Sequence, residues 1–458
     1  MECDLLMIKI EKVINKNDLK AFIAFPSSLY PDDPNWIPPL FIERNEHLSA
    51  KNPGTDHIIW QAWVAKKAGQ IVGRITAQID TLHCERYGED TGHFGMIDAI
   101  DDPQVFAALF GAAEAWLKSQ GASKISGPFS LNINQESGLL IEGFDTPPCA
   151  MMPHGKPWYA AHIEQLGYHK GIDLLAWWMQ RTDLTFSPAL KKLMDQVRKK
   201  VTIRCINRQR FAEEMQILRE IFNSGWQHNW GFVPFTEHEF ATMGDQLKYL
   251  VPDDMIYIAE IDSAPCAFIV GLPNINEAIA DLNGSLFPFG WAKLLWRLKV
   301  SGVRTARVPL MGVRDEYQFS RIGPVIALLL IEALRDPFAR RKIDALEMSW
   351  ILETNTGMNN MLERIGAEPY KRYRLYEKQI YYQLTQVHLQ RHRRANQMVA
   401  FQLDIVEILF HGPHMIACCA LSDVRQPLQH RVVDPRMLAI DLLFLLWSMV
   451  EIIYAGKH

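Results

Sequence analysis

The chain has 458 residues, of which 48% are hydrophobic and 22% charged, a composition typical of a globular protein with roughly two to four domains. This composition excludes a disordered chain, a collagen and a coiled coil. Its 48 basic and 52 acidic side chains give a formal net charge of −4, so no global positive field attracts nucleic acid.

The seven cysteines include no CxxC pair, and two of them, Cys418 and Cys419, are adjacent. This pattern is typical neither of a metal site nor of a disulfide framework. It indicates a reduced, cytoplasmic protein, for which we predict no metal. The first apolar stretch contains Glu, Asp and Lys, so no secretory signal is predicted.

In chain order, the first elements are two apolar runs, 59–65 and 71–79, separated by a polar turn. Short runs rich in Ile, Val and Trp around such a turn predict a β-hairpin. A strand near 93–97, a helix over about 103–120, a strand over 122–126 and a helix over about 158–166 follow. The first of these helices begins at Pro103, and proline is well tolerated in a first helical turn.

The second half repeats this order. Residues 255–260 and 266–272 predict a second hairpin, followed by a strand (305–313), a helix (about 324–339), a strand (345–350) and a helix (356–365). The last helix ends at Gly366, the residue type best suited to a left-handed position after a helix. The order β-β-β-α-β-α-β thus occurs twice and predicts a tandem duplication. The alternative is a chance order, which α/β chains often produce.

A six-residue segment, Gln-Phe-Ser-Arg-Ile-Gly, joins the strand and the helix of the second half, and contains Gln318, Arg321 and Gly323. It resembles the motif Gln/Arg-x-x-Gly-x-Gly/Ala, with which GNAT acyltransferases hold the pyrophosphate of an acyl-coenzyme A. A helix N-terminus suits an anion, and a glycine lets the backbone approach it. Arg321 replaces the middle glycine and Pro324 removes an amide donor. Arg321 is therefore either a phosphate ligand or a solvated surface residue.

The same resemblance implies other roles in the second half. Val313, at the end of the strand, and Asn355, before the last helix, complete the predicted donor site. GNAT proteins often carry a tyrosine general acid on that last helix, where this chain has Leu362. We predict Tyr373 as the substitute, and two further tyrosines, Tyr317 and Tyr376, are alternatives.

Acyl transfer to an amine also needs a base that takes the ammonium proton. Glu347 is the first candidate, because it lies among apolar residues on a predicted buried strand, and such surroundings raise the pKa of a carboxylate toward neutrality. Glu353, at the end of that strand, is the second candidate. The alternative for Glu347 is a buried ion pair with an arginine such as Arg307.

The first half lacks a phosphate loop, because its helix begins Asp101-Asp102-Pro103 and two carboxylates there would repel a pyrophosphate. It has instead a polar segment rich in Gly and Pro over 127–159, which is typical of functional loops or of loops that cap their own turns. We predict that this segment and the aromatic stretch 223–235 recognise the acceptor. The predicted acceptor-binding residues are Asn132, Asn134, Glu136, His154, Trp226 and Trp230.

The stretches 127–159 and 223–235 are similar to a bacterial tandem GNAT-like family that is often labelled nucleotide pyrophosphohydrolase and that includes bacterial ceramide synthase-like proteins. We see no acidic metal cluster in the sequence of the kind that a pyrophosphohydrolase needs. The resemblance implies transfer of an acyl group, expected to be fatty, from acyl-coenzyme A or an acyl-carrier protein to an amine such as a sphingoid base. No tightly bound cofactor is expected. A non-catalytic lipid- or peptide-binding module and a transferase that uses charged transfer RNA are alternatives.

We predict an α/β fold with a mixed sheet: two tandem GNAT-like domains, 1–185 and 186–380, and a helical or unstructured extension, 381–458. Residues 286–300 combine Trp and Leu with basic residues, which is typical of a helix at a membrane surface or of a domain lid. Residues 437–454 are apolar but contain Asp441 and Glu451, which argues against a membrane span. We therefore expect a cytoplasmic protein, with peripheral association with the inner membrane as an open alternative.

Overall fold

The computed structural model describes residues 7–380, which form a thirteen-stranded mixed sheet covered by helices. The strands are β1 (Lys9–Lys12), β2 (Ile58–Lys67), β3 (Gln70–Asp80), β4 (Thr91–Ala99), β5 (Lys124–Gly127), β6 (Leu139–Glu142), β7 (His169–Gln180), β8 (Val201–Cys205), β9 (Ile256–Ile261), β10 (Ala264–Pro273), β11 (Thr305–Val313), β12 (Ala345–Leu352) and β13 (Glu368–Gln379). The extension that we predicted over 381–458 lies outside the described residues.

The α-helices are α1 (Lys16–Leu29), α2 (Phe41–His47), α3 (Thr81–Tyr87), α4 (Pro103–Ser119), α5 (Tyr159–Gln165), α6 (Pro188–Arg198), α7 (Phe211–Trp226), α8 (Glu237–Leu250), α9 (Ile275–Ile279), α10 (Gly290–Trp296), α11 (Asp315–Gln318), α12 (Gly323–Ala333), α13 (Arg335–Arg340) and α14 (Thr356–Arg364). Short 3₁₀ helices span Pro53–Thr55, Arg208–Arg210 and Asp253–Met255, and a π-helical turn spans Arg297–Ser301. None of the helices within residues 7–380 has the length and apolar character needed to cross a bilayer.

The predicted duplication is present and is longer than the sequence indicated. The order β1-α1-α2-β2-β3-β4-α4-β5 of the first half returns as β8-α7-α8-β9-β10-β11-α12-β12 in the second. In each half the strands that flank the long helix are parallel, β4 with β5 and β11 with β12, and the hairpins are antiparallel. We missed the edge strands β1 and β8, which are too short to show a clear apolar alternation.

The two halves exchange their last strands. β7 of the first half lies between β13 and β12, and β13 of the second half lies between β5 and β7. One continuous sheet results, and the predicted mixed-sheet fold class is confirmed. The division into 1–185 and 186–380 stays a prediction, because each of these ranges supplies a strand to the sheet of the other.

The two long crossover helices are buried to different extents. α4 buries one face, which includes Phe106, Leu109 and Phe110, whereas α12 is buried nearly all round. α12 contacts both the sheet and α6, and a helix covered on two sides needs apolar residues on both. The helix that we predicted over 324–339 is two helices, α12 and α13. Pro337 explains the break, because it lacks the amide that would bond to Ala333 O.

His57 joins the two halves. Its Nδ1 lies 2.8 Å from Asp80 Oδ1, and its Nε2 lies 3.2 Å from Glu239 Oε1. Glu239 also completes the capping box of α8 with Thr236. Burial alone would lower the pKa of His57, but the hydrogen bonds to Asp80 and Glu239 raise it to about 10. His57 is therefore charged at neutral pH and links two carboxylates across the interface.

Substitution of His57 by Gln should remove a pH-dependent part of the stability. A raised pKa stabilises the fold below the ordinary histidine pKa, and this contribution is lost as pH rises through about 10. After allowance for solvent screening, we expect the difference in free energy of unfolding between wild type and H57Q to shrink by about 1–2 kcal/mol from about pH 6 to about pH 10. Urea unfolding of both proteins at both pH values measures this difference.

The exposed pair His238–Asp56 supplies a control, because exposed ion pairs contribute little. H238Q should follow the wild type at both pH values. An H57Q variant whose difference from wild type is the same at both pH values would contradict the assignment.

Candidate active site

The candidate site lies where β11 and β12 separate. Their parallel register runs from Thr305↔Ala345 to Val308↔Met348 and ends there, although β11 continues to Val313 and β12 to Leu352. Strands that separate leave backbone groups without a strand partner, and such groups are available for a ligand. The indole of Trp226, a predicted acceptor residue, donates to one of them, Met311 O, at 2.8 Å.

Glu347 is fully buried next to this separation. The Tyr370 phenol donates to Glu347 Oε2, and Ser349 Oγ donates to Oε1 at 2.5 Å. Arg307 Nε lies 3.4 Å from Oε1, so the ion pair that was our alternative for Glu347 is present. The carboxylate thus has a hydroxyl, a phenol and a guanidinium around it, and we call these four residues the Glu347 cluster.

Tyr370 of the cluster and its neighbour Lys371 both belong to β13, which the strand exchange places beside β7. Burial, and after it the charge of Glu347, raises the pKa of Tyr370, so this phenol keeps its proton. Lys371 is almost fully buried; its Nζ donates to Thr146 O at 2.7 Å and to Gly143 O. Burial lowers the pKa of Lys371 to about 8. Perturbed groups of this kind concentrate at functional sites.

Several buried polar atoms near Glu347 have no partner within the described part of the chain. They are Tyr373 Oη, Trp350 Nε1 and Thr146 Oγ1. The Arg307 guanidinium lies 5.1 Å from the centre of the Trp350 ring, and burial and Glu347 together raise the pKa of Tyr373. Buried polar atoms are normally paired, so unpaired donors beside a buried carboxylate are consistent with a place for a ligand or water.

The predicted phosphate loop follows β11. Gly323 is required there, because a Cβ atom would lie 2.2 Å from Tyr317 O. Ser320 Oγ accepts from Ile322 N at 3.3 Å and from Gly323 N at 3.2 Å. Both amides therefore bond within the loop, and Arg321 is its exposed cation.

The other predicted donor residues have defined places. Val313 ends β11, and its carbonyl oxygen would lie 2.3 Å from a Cβ at Gly225. The Oε1 atom of Gln318 is buried and has no hydrogen-bond partner among the described residues. Asn355 caps α14 by accepting from Met358 N at 3.1 Å, which is a structural role.

The second candidate base, Glu353, is bonded elsewhere. Its Oε1 accepts from Asp173 N at 3.0 Å and its Oε2 from Lys170 at 2.7 Å. Asp173 in turn pairs with Arg374 at 2.8 Å. None of these contacts reaches Glu347, so the structure separates the two predicted carboxylates.

The predicted acceptor residues of the first half bond mainly within the protein. Asn134 Nδ2 donates to Val233 O at 3.1 Å, and Asn132 Nδ2 to Glu239 Oε1 at 3.5 Å; both bonds connect the two halves. Glu136 pairs with the buried Arg44. His154 Nε2 lies 3.2 Å from Asp33 Oδ2. Burial, partly opposed by Asp33, lowers the pKa of His154.

A cavity of about 350 Å³ lies between the two halves and is lined by residues of both. Trp230 lines it, with His83, His93 and Ser126. His93 Nδ1 is 2.8 Å from Ser126 Oγ. The strand register pairs His93 with Ser126 as it pairs Arg307 with Glu347, so the two halves carry different polar pairs at equivalent positions.

Sequence reasoning missed Tyr370, Lys371 and Ser349. The stretch Tyr-Lys-Arg-Tyr-Arg-Leu-Tyr mixes basic residues with three tyrosines, so nothing in it distinguishes Tyr370 from Tyr373. Tyr370 can be recognised as a neighbour of Glu347 only once β13 is known to lie beside β7, which in turn pairs with the strand of Glu347.

Two β-β-β-α-β-α-β units with a separating parallel pair in the second define a tandem GNAT-like fold. Among solved structures, the chain is similar to a tandem GNAT protein from the clavulanic acid biosynthesis pathway, with 12% identity, coverage of 82% of this chain and 99% of that one, and a TM-score of 0.47. It is also similar to a GCN5-related N-acetyltransferase from Sphaerobacter thermophilus, with 11% identity, coverage of 81% and 96%, and a TM-score of 0.46. No protein-family model matches.

Two curated relatives are much more similar in sequence. Protein YghO of Escherichia coli is 98% identical over 81% of this chain and 95% of its own length. The bacterial ceramide synthase of Caulobacter vibrioides is 45% identical over 79% of this chain and 94% of its own length. The chain belongs to the family that contains these two proteins.

Substitution of Gly323 by Ala should destabilise the loop, because the added methyl group overlaps Tyr317 O. Overpacking of this kind costs about 1–3 kcal/mol in free energy of unfolding, which urea unfolding measures. Gly111 is the matched control: it lies on exposed α4 surface with no atom within 4 Å of an added Cβ. G111A should raise stability by about 0.5–1 kcal/mol. Equal effects of both substitutions would rule out the steric requirement.

Proposed function

We propose that this protein is an N-acyltransferase that moves a fatty acyl group from a thioester to a lipid amine. The observation that carries the proposal is the Glu347 cluster, a buried carboxylate bonded to a phenol where β11 and β12 separate. The relative named bacterial ceramide synthase supports the reaction class and a sphingoid-like acceptor.

Glu347 and Tyr370 act together in the proposed proton transfer. Glu347 is fully buried, whereas Tyr370 is partly accessible, so the phenol is the member that an amine reaches. One proton of the ammonium leaves to water. As the C–N bond forms, the second proton passes to Tyr370 while Tyr370 passes its own to Glu347. As the C–S bond breaks, the relay runs back and protonates the thiolate, giving an amide and a free thiol.

The negative charge that develops on the carbonyl oxygen needs donors. Tyr373 Oη and Trp350 Nε1 are buried donors that have no hydrogen-bond partner among residues 7–380, and we assign them to this oxygen. Arg307 and Lys371 supply two cations near one carboxylate, so the local balance of charge favours an incoming anion. Tyr373 thus keeps a catalytic role, as an oxyanion donor rather than as the general acid that we predicted.

The donor thioester would lie in the gap after Val308 and Met348, with its phosphates at the loop before α12. Arg321 is the exposed cation for them, and we assign the side-chain amide nitrogen of Gln318 as a further donor. Gly323 permits the close turn into α12. Both coenzyme A and an acyl-carrier protein present such a phosphate, and we propose one of these as co-substrate.

A long-chain amine is held in a bilayer, so the proposal includes a cytoplasmic protein associated peripherally with the inner membrane. Acceptor recognition by the first half is part of the proposal. The residues that we assign to it are His154, whose Nε2 lies 3.2 Å from Asp33 Oδ2, joined by Trp230 of the second half, which lines the cavity between the halves.

A second candidate function is a lipid- or peptide-binding module without catalysis. One observation favours it: Ser320 Oγ accepts from the amides of Ile322 and Gly323, which GNAT proteins use for the pyrophosphate. Pro324 removes a further amide. In this candidate, the Glu347 cluster would be a buried structural network.

Donor binding is measurable without turnover. Palmitoyl-, octanoyl- and acetyl-coenzyme A and free coenzyme A should raise the midpoint of thermal unfolding in decreasing order, because a ligand that binds only the folded state stabilises it. R321A should weaken binding by about tenfold, the effect of losing a charge-assisted contact of about 1.5 kcal/mol. Arg335, exposed on α13, is the control. Absence of any shift would leave a carrier-protein donor or the binding module.

Glu347→Gln and Tyr370→Phe should each lower kcat by about 10²–10⁴ with little change in the KM for the donor, because general acid–base catalysis contributes this much. Release of free thiol with a long-chain amine measures both. E353Q tests the second candidate base, and E332Q is a control at an exposed pair with Arg198. Folded E347Q and Y370F proteins with wild-type turnover would exclude the relay.

A further inference from the structure

One connection of the second half is much longer than its counterpart. β3 and β4 are joined by residues 81–90, which contain only α3, whereas β10 and β11 are joined by residues 274–304. The first half shows that the fold itself needs only the short connection. The extra length in the second half therefore calls for another explanation. Residues 281–301 of the long one form a projection that we call the apolar lobe.

The apolar lobe carries large hydrophobic side chains on its surface. Those exposed by 50% to 77% are Phe287, Phe289, Trp291, Leu295, Trp296 and Val300. In an ordinary surface helix the apolar stripe faces the core; here Trp291, Leu295, Trp296 and Val300 of one helical segment face outward. A concentrated apolar patch of this kind marks a contact with a partner or a membrane.

The charges of the lobe lie beside this apolar surface. It contains three basic residues and one acidic residue. Arg297 and Lys293 pair with Asp281, at 2.5 Å each, and Arg297 also donates to Ala278 O at 2.8 Å. These bonds hold the basic side of the helix against the start of the lobe and against α9, and leave the aromatic side outward. The net positive charge contrasts with the negative charge of the whole chain and is complementary to an anionic surface.

We propose that the apolar lobe is a membrane-docking surface that inserts its aromatic side chains into the headgroup region of an anionic phospholipid bilayer. Tryptophan and phenylalanine on one face, with Lys and Arg beside them, are the features of a helix that lies in a membrane interface. Lysine and arginine keep their charged ends at the level of the lipid phosphates while the aromatic rings enter the headgroup region beside them.

The position of the lobe relates this surface to the Glu347 cluster. Asn274 and Asn276, at the base of the long connection, bond to Ala150 N at 3.1 Å and to Pro148 O at 2.9 Å. Ala150 O in turn accepts from Arg307 at 2.9 Å. The base of the connection that carries the lobe thus contacts a segment that is bonded to the Glu347 cluster. The phosphate loop lies at the opposite end of β11, about 25–30 Å away at roughly 3.3 Å per residue.

On this arrangement, and resting on the proposed function, the bilayer supplies the lipid amine at one end of the strands while the water-soluble donor binds at the other. The two substrates would therefore enter the site from opposite ends. Membrane docking itself does not depend on the chemistry and is testable alone.

Co-sedimentation of the purified full chain with vesicles tests the docking. The wild type should bind vesicles of equal parts phosphatidylglycerol and phosphatidylcholine, and bind pure phosphatidylcholine more weakly. W291S/W296S should lower partitioning by more than about tenfold, because burial of one large apolar side chain is worth at least that factor. F287S/F289S is an independent second variant.

Two exposed apolar residues outside the lobe, Ile59 and Leu193, supply the control, and I59S/L193S should bind as the wild type does. Equal thermal unfolding midpoints establish that the variants are folded. Wild-type protein that binds neither vesicle, or folded lobe variants that bind like wild type, would overturn the proposal. So would a dimer in solution that W291S/W296S converts to monomers without any vesicle binding, since the lobe would then contact a second copy.

The failure of docking and the failure of the reaction are distinguishable. With a short, water-soluble amine, W291S/W296S should retain wild-type turnover, and with a long-chain amine embedded in vesicles it should lose it. Vesicle binding without any acyl transfer would leave the lobe assignment intact and would reject the enzyme.

Discussion

The exchange of β7 and β13 between the halves is the constraint on which the candidate site depends. A GNAT-like unit that kept its own last strand would place Tyr370 and Lys371 in a different relation to β12. With the exchange, β7 pairs with β12 on one side and β13 on the other, and the Tyr370 phenol reaches Glu347. The exchange also removes two internal sheet edges, which are sites of unwanted pairing, and makes the second half dependent on a strand from the first. The site therefore requires both copies, although its main carboxylate comes from one.

The duplication shows how one backbone position acquires two chemistries. At the pair of parallel strands, the second half has Arg307 opposite Glu347, and the first half has His93 opposite Ser126. The first pair is a charged couple sealed from solvent; burial lowers the pKa of His93, so the second pair is neutral and lines a cavity. The helix that follows the first-half strand begins with Asp102, which caps it through Gln104 N at 2.9 Å. A carboxylate at that end is unfavourable for a phosphate, so the phosphate loop that we propose for the second half has no counterpart at the start of α4.

Much of the fold could be predicted from the sequence, because hairpins and crossover helices have short-range signals. Alternation and turn residues located β2, β3, β9 and β10, and Pro103 and Gly366 located helix ends.

Glu347 was selected as a candidate base because a carboxylate among apolar residues is unusual. Tyr370 was not found, because its role depends on a non-local strand exchange that leaves no pattern within β13. The polar loop of the first half shows what sequence could not give: Asn132, Asn134 and Glu136 have partners in Glu239, Val233 and Arg44, and their role in acceptor binding stays a prediction. Composition identifies unusual loops without showing what their side chains bond to.

The energetics of the Glu347 cluster favour function over stability as the reason for its presence. A buried ion pair seldom stabilises a fold more than well-packed apolar residues of the same volume. Here two buried cations accompany one carboxylate, and burial lowers the pKa of Lys371 to about 8. Within the part of the chain that the structure describes, Tyr373 Oη and Trp350 Nε1 lack hydrogen-bond partners. Each of these features costs free energy in the folded protein, since unpaired buried donors and desolvated charges are unfavourable. A site arranged for an oxyanion recovers that cost only when the reacting carbonyl is present, because its developing charge satisfies the same donors. The unpaired donors and buried charges around Glu347 are thus unfavourable for stability for the same reason that they suit the proposed reaction.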